Sequence, residues 1–331
     1  MQKPDETGTV SKADRQKAFG FADGVVKPGT VGHFEIPVAR LPAGTWTTMP
    51  AVIMHGSHPG PCIWLSSSIH GDELNGIEII RKVLASVQPR KLAGTVIAVP
   101  IVNVFGVTNG SRYLPDRRDL NRSFPGAAHG SLAGRLARLF FDEIVSRCTI
   151  GIDFHTGSGG RENLPQIRCD ADNADAYRLA STFGAPIVIH ANLRDGSLRS
   201  AAAAQGKLVL LYEAGEALRF DEEAIDFGVA GSLRVMRSMA MIDHAPEYVG
   251  KAPPVSRRTR WVRAGRSGFC HLDVGRGQKV ERNAVIAHIT DATGRRTFPV
   301  RTRSAGIIIG RLMTGTVHRG DAVANIAEID A

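Results

Sequence analysis

Between residues 48 and 242, short apolar runs of strand length alternate with segments in which apolar residues recur at helical spacing. The runs fall at 51–54, 62–68, 95–100, 150–155, 186–189 and 207–212. Leu132, Leu136, Leu139, Phe140 and Ile144 form one helical stripe. A second stripe, Ile225, Val229, Leu233, Met236 and Ala240, follows Asp221, whose carboxylate suits an N-cap. The alternation predicts an α/β sheet covered by helices, with any site on the rim where strands end. After Pro246 the helical period disappears in favour of short strands punctuated by glycine, beyond a linker-like Lys251-Ala252-Pro253-Pro254. The expected organisation is a polar extension over 1–30, an α/β domain over 31–246 and a smaller all-β domain over 247–331.

Two weakly similar pieces of that last region, 268–287 and 305–326, read as the quasi-repeated halves of a barrel-sandwich of the lipoyl or biotinyl type. A carrier of that type needs a modifiable lysine in the hairpin joining the halves. Residues 290–296, Thr-Asp-Ala-Thr-Gly-Arg-Arg, contain none. The module is therefore expected to cover the mouth of a site or to mediate assembly into a homo-oligomer.

Composition narrows the class. At 331 residues with 43% apolar content the chain can bury a sizeable core, and no apolar run approaches the ~20 residues of a membrane span. Residues 1–17 are polar and charged, unlike a signal peptide. Cys62, Cys148, Cys169 and Cys270 are widely spaced without a CxxC pair, which points to reduced thiols in the cytoplasm and away from cysteine-bound metal. The 41 basic residues exceed the 32 acidic ones, with part of the excess after residue 256. Without interleaved aromatics that excess reads as a solvated basic face suited to small anions, with no nucleic-acid or membrane partner.

Four constellations carry chemistry. His70-Gly71-Asp72-Glu73 follows one apolar run and His155 closes another. Two histidines and a carboxylate delivered at strand ends are the ligand set of a catalytic zinc with one position left for water. Residues 112–126 form an arginine-dense loop, Arg-Tyr-Leu-Pro-Asp-Arg-Arg-Asp-Leu-Asn-Arg-Ser-Phe-Pro-Gly. Arginine there presents a planar fork to carboxylates, and Asn121 adds an amide donor. Glu213 ends the run 207–212, where burial would fit it for general acid–base work.

Taken in order, His-Gly-Asp-Glu, Asp-Leu-Asn-Arg-x-Phe-Pro-Gly, Asp-Phe-His and Tyr-Glu-Ala-Gly-Glu resemble the succinylglutamate desuccinylase/aspartoacylase family, itself similar to zinc carboxypeptidases. The resemblance covers about 50–242 and implies a carboxypeptidase-like mixed sheet flanked by helices. It implies one Zn2+ held by His70, Glu73 and His155, with Glu213 as general base and acid. Asn121 and Arg122 would grip a substrate carboxylate. A further family arginine polarises the scissile carbonyl; Arg112 matches it by its neighbour Tyr113, with Arg117 the rival. Residues 157–168, Arg168 among them, and Arg199 are expected to shape the acyl or amine pocket. The implied activity is deacylation of a small anionic N-acyl amino acid or amine. A peptide-trimming metallocarboxypeptidase and a non-catalytic binding protein on the same fold are the alternatives.

Overall fold

A computed structural model of the chain describes residues 16–329. The extension expected over 1–30 lies outside the described residues as far as 15. Beyond it, Phe19–Phe21 and Gly24–Val26 pair as a hairpin, with Phe21 and Val26 buried.

The frame is a mixed sheet of 13 strands. Its centre is parallel: Ala93–Val99, His58–Ser67, Ile150–Gly157 and Leu208–Glu216 lie side by side in that order. Trp46–His55 and Thr30–Arg40 extend it antiparallel on one side, and Arg161–Cys169 on the other. Alternate residues of the central strands enter separate cores on the two faces, as the two-residue period of a strand requires. Ile63 and Leu65 pack with the helices Asn75–Ser86, Ala174–Phe183 and Glu222–Ser238. Trp64 packs with the helix Leu132–Glu143 and the N-terminal hairpin. Gly151 makes this possible: a Cβ there would stand 1.8 Å from the Trp64 ring on the adjacent strand.

Most predicted elements recur with shifted ends. Asp221 caps its helix through the Ala224 amide, but the helix stops at Ser238, and Ala240 lies past it at φ 55°. The strand expected to end at Tyr212 continues to Glu216, so Glu213 lies within it. The strand Arg161–Cys169 escapes the apolar pattern because Glu162, Asn163 and Gln166 are buried polar residues. Cys62 and Cys148, distant in sequence, bring their sulfurs to 3.0 Å.

The C-terminal strands do not stand apart from this sheet. Gly306–Leu312 pairs with Arg161–Cys169, Ala322–Glu328 with Gly306–Leu312, and Arg258–Arg263 with Ala322–Glu328. The linker-like stretch is itself stitched down, since Pro254 accepts the Val188 amide and Val255–Ser256 pairs with Ile187–His190. A separate sheet of four strands, with Thr297–Arg301, Val285–Thr290, Gly268–Leu272 and Thr316–Val317 in order, completes the region. Arg276 anchors it to the rest through Asp221 at 2.7 Å and Glu223 at 2.5 Å. Among the described residues no helix is long and apolar enough to cross a membrane.

Candidate active site

The site lies where the parallel strands end. After His58–Ser67 the chain turns sharply, with Ser68 at φ 54° and its hydroxyl donating to the Glu73 carbonyl. This turn carries His70 and Glu73. Gly71 crosses the helix Val104–Asn109 so closely that a Cβ would sit 2.0 Å from the Gly106 backbone. His155 comes from Ile150–Gly157, and Glu213 is its paired residue on the neighbouring parallel strand.

Three side chains converge. The Nδ1 atoms of His70 and His155 lie 3.2 Å apart. Glu73 Oε1 is 2.9 Å from the first and Oε2 is 2.7 Å from the second. Each ring turns its other nitrogen to a carboxylate: His155 Nε2 is 2.7 Å from Asp153, and His70 Nε2 is 3.3 Å from Asp119. Ser66 in turn donates to Asp153, and the Asn121 amide to Asp119. Two imidazole nitrogens and one carboxylate facing one point, each imidazole backed by a carboxylate, fit a divalent metal such as zinc.

The electrostatics are those of a compact charge cluster. Burial pushes the His155 pKa down, but Asp153 and Glu73 outweigh burial and hold it well above the ordinary histidine range. His70 is raised on the same balance, with Glu73 and Asp119 opposing burial. Burial favours a protonated Glu73, yet the two histidines hold it well below the carboxylate range. Asp119 is held low against burial by His70 and Arg112. A metal would replace the protons that this cluster otherwise retains.

A cavity of about 510 Å³ opens over these groups. Arg112 reaches into it, its guanidinium 2.8 Å from Asp119 and 3.5 Å from Glu73. Arg117 is exposed, at φ 61° in the loop, and is not among the lining residues. Asn121 and Arg122 both line the cavity. Asn121 Oδ1 accepts the Leu198 amide, which fixes the side chain with its Nδ2 as the donor for a ligand. Arg122 donates to the Asn121 carbonyl, and burial together with Arg194 and Arg112 lowers its pKa, the mark of a cation with positive neighbours. Arg168 faces Glu213, its Nε 3.4 Å from Oε1. Asn163 donates to Glu213 Oε2 at 2.5 Å. Glu213 itself is half-buried rather than enclosed in an apolar setting.

Some of the lining was not legible in the sequence. Arg194 joins it from a loop with no motif, and Trp261 comes from the C-terminal strand Arg258–Arg263, with Arg161 stacked on its ring at 5.6 Å. Asp119 and Asp153 stand inside the motifs Asp-Leu-Asn-Arg and Asp-Phe-His. Their adjacency to histidine and arginine was the available signal. Arg199 lines the cavity but is also tied to the Ala191 and Asn192 carbonyls, which fixes that loop.

The chain is similar to known proteins along most of its length. The family model of the succinylglutamate desuccinylase/aspartoacylase catalytic domain matches residues 59–239. The chain is 29% identical over 325 residues to the N-alpha-acetyl-L-2,4-diaminobutyric acid deacetylase of Halomonas elongata, 93% of each chain being covered. A crystal structure of a succinylglutamate desuccinylase/aspartoacylase from Rhodobacter sphaeroides superposes with a TM-score of 0.81 at 26% identity, covering 91% of this chain and 96% of that one. The product-bound ectoine utilization protein of Ruegeria pomeroyi shares the fold, with a TM-score of 0.80 at 22% identity over 90% of this chain and 95% of its own.

Proposed function

Because the chain belongs to the succinylglutamate desuccinylase/aspartoacylase family, we propose that it is a zinc-dependent deacylase that hydrolyses the amide bond of a small N-acylated amino acid. The observation that carries this reading is the convergence of His70 Nδ1, His155 Nδ1 and the Glu73 carboxylate beneath an arginine-lined cavity. These three residues would hold the metal. When bound, it supplies Lewis acidity that brings the pKa of a water towards neutrality and polarises the amide carbonyl.

The chain's own groups do the rest. Glu213, on the same rung as His155, accepts the proton of the attacking water and returns it to the leaving amine. Arg112, held by Asp119 at the cavity wall, stabilises the charge that develops on the carbonyl oxygen. Asn121 and Arg122 take the substrate carboxylate, converting binding energy into orientation. Among the described residues the lining holds no acid beyond Glu73, Asp153 and Glu213, which favours an anionic substrate. Trp261 brings the C-terminal module to the cavity wall, which supports its reading as a structural cover over a catalytic domain of about 31–246. The four-stranded sheet supports the barrel-sandwich reading of that module. The unpaired cysteines fit a cytoplasmic enzyme.

The test combines metal analysis with a substrate panel. N-acyl amino acids, acylated diamino acids and short peptides are assayed before chelation, after it and with zinc restored. The expected result is one zinc per chain and turnover of an N-acyl amino acid that chelation abolishes. Preferential trimming of peptides would replace this reading with a carboxypeptidase. A protein that holds no metal and turns over nothing would leave a binding protein.

A further inference from the structure

Glu213 is gripped by a residue that is itself wedged between two parts of the chain. Asn163, 8% exposed, lies on the strand Arg161–Cys169 and donates through Nδ2 to Glu213 Oε2 at 2.5 Å. On one side this strand pairs with the strand that carries Glu213, and the pairing is irregular between Glu213 and Gly215. On the other side Asn163 is paired with Gly310 of the C-terminal module. A Cβ at position 310 would stand 2.9 Å from Asn163 Oδ1, closer than real Cβ contacts come. Gly310 needs no left-handed backbone, so space for the amide is what glycine supplies there. The Arg311–Glu162 ion pair, one residue along on both strands, locks the register in which this happens.

We propose that Asn163 is the positioning residue for Glu213, and that the C-terminal module, through Gly310, leaves the room that the Asn163 amide needs for the rotamer that does so. The inference rests on the reading of Glu213 as general base. A carboxylate anchored at one oxygen presents the other in a fixed direction, which proton transfer requires. Without Asn163 the carboxylate keeps the longer Arg168 contact at 3.4 Å but loses its short hydrogen bond, and displacement of a catalytic group by about 1 Å costs roughly 10²-fold in rate. The module thereby acts on catalysis without contributing a group to the reaction.

The test uses the full-length, zinc-loaded protein and the best substrate of the panel. Asn163→Ala is expected to lower kcat about 10- to 100-fold with KM changed less than threefold and zinc content unchanged. Asn163→Asp keeps the shape, removes the donor and should fall at least as far. Gly310→Ala should lower kcat in the wild-type background and add almost nothing to Asn163→Ala, because its Cβ then has no Oδ1 to meet. Wild-type kcat in Asn163→Ala, full activity in Asn163→Asp, or independent multiplication of the Gly310 and Asn163 effects would overturn the proposal. Should Gly310→Ala not fold, the two Asn163 variants decide alone. Glu213→Gln separates the two readings. If it keeps turnover, the base assignment fails; if it is inactive while Asn163→Ala is wild-type, only the positioning role fails.

Discussion

His155 and Glu213 occupy the same rung of two adjacent parallel strands, so a metal ligand and the proposed base are set by one backbone register. Neither depends on a loop for its position. A one-residue slip in that pairing would turn Glu213 to the opposite face. Its chain neighbour Tyr212 already points there, packed between Phe154 and Phe183 with its hydroxyl on the Ala224 carbonyl.

Glu213→Gln should keep the fold and the metal while lowering kcat about 10²- to 10⁴-fold, the share of general acid–base catalysis. Steady-state kinetics with elemental analysis of the same sample checks it. Activity near wild type would move the base elsewhere. Glu216, which sits beside Arg219, would be the next residue to test.

The two loop arginines should separate cleanly. Arg112→Ala is expected to lower kcat about 10²- to 10³-fold, as loss of one charge-stabilising donor does. Arg117→Ala, at an exposed turn outside the cavity, should stay within twofold of wild type on the same substrate. The reverse order would assign carbonyl polarisation to Arg117.

Metal affinity should rise with pH. In the metal-free protein Asp153 and Glu73 outweigh burial and hold His155 protonated above its ordinary range, whereas a metal needs Nδ1 free. Below the raised pKa, each displaced proton weakens binding about tenfold per pH unit lost. Competition titrations with a chelator from pH 6 to 8 measure the slope. Asp153→Asn should flatten it and weaken binding roughly 10- to 100-fold. A pH-independent affinity would remove the proton from the site.

The module's attachment is expected to depend on Arg276. Its bonds to Asp221 and Glu223 are partly screened, so Arg276→Ala should cost about 1–3 kcal/mol in a denaturant melt. Asp221 is held below its ordinary value by Arg276 despite its burial. Its contribution is therefore present above the unfolded carboxylate pKa and lost as pH falls through the lower folded value. Arg276→Ala should accordingly lose its deficit relative to wild type only in strong acid. A deficit that grows with falling pH would reverse the assignment.

Charge is distributed unevenly enough to matter for encounter. Residues 255–331 hold 14 basic and 6 acidic side chains, a balance of +8, and all earlier residues together contribute +1 of the formal +9. With Trp261 of this region on the cavity wall, the field lies beside the entrance. For an anionic substrate, kcat/KM should fall severalfold between about 0.01 and 0.15 M salt while kcat stays constant. Stopped-flow or initial-rate measurements at the two salt levels check it, and a flat response would remove steering.

By itself the sequence determined the parts that short-range chemistry encodes. Apolar runs of strand length marked the central strands, and Asp221 marked a helix start. Each histidine, fixed to the end of its run, was recognisable before any fold was known. What it could not carry was distance across the chain. Arg112 and Arg117 are equivalent as residue types, and only the turn at Arg117 together with the Asp119 contact of Arg112 puts one in the cavity and the other in solvent. Asn163 lay in a polar stretch with no apolar period, since its strand is buried through polar contacts that exist only after pairing with Leu208–Glu216 and Gly306–Leu312. The C-terminal region looked detachable because its own pattern is self-contained. Its strands nonetheless complete the hydrogen-bonding edge of Arg161–Cys169, and an open sheet edge seeks a partner wherever in the chain one is available.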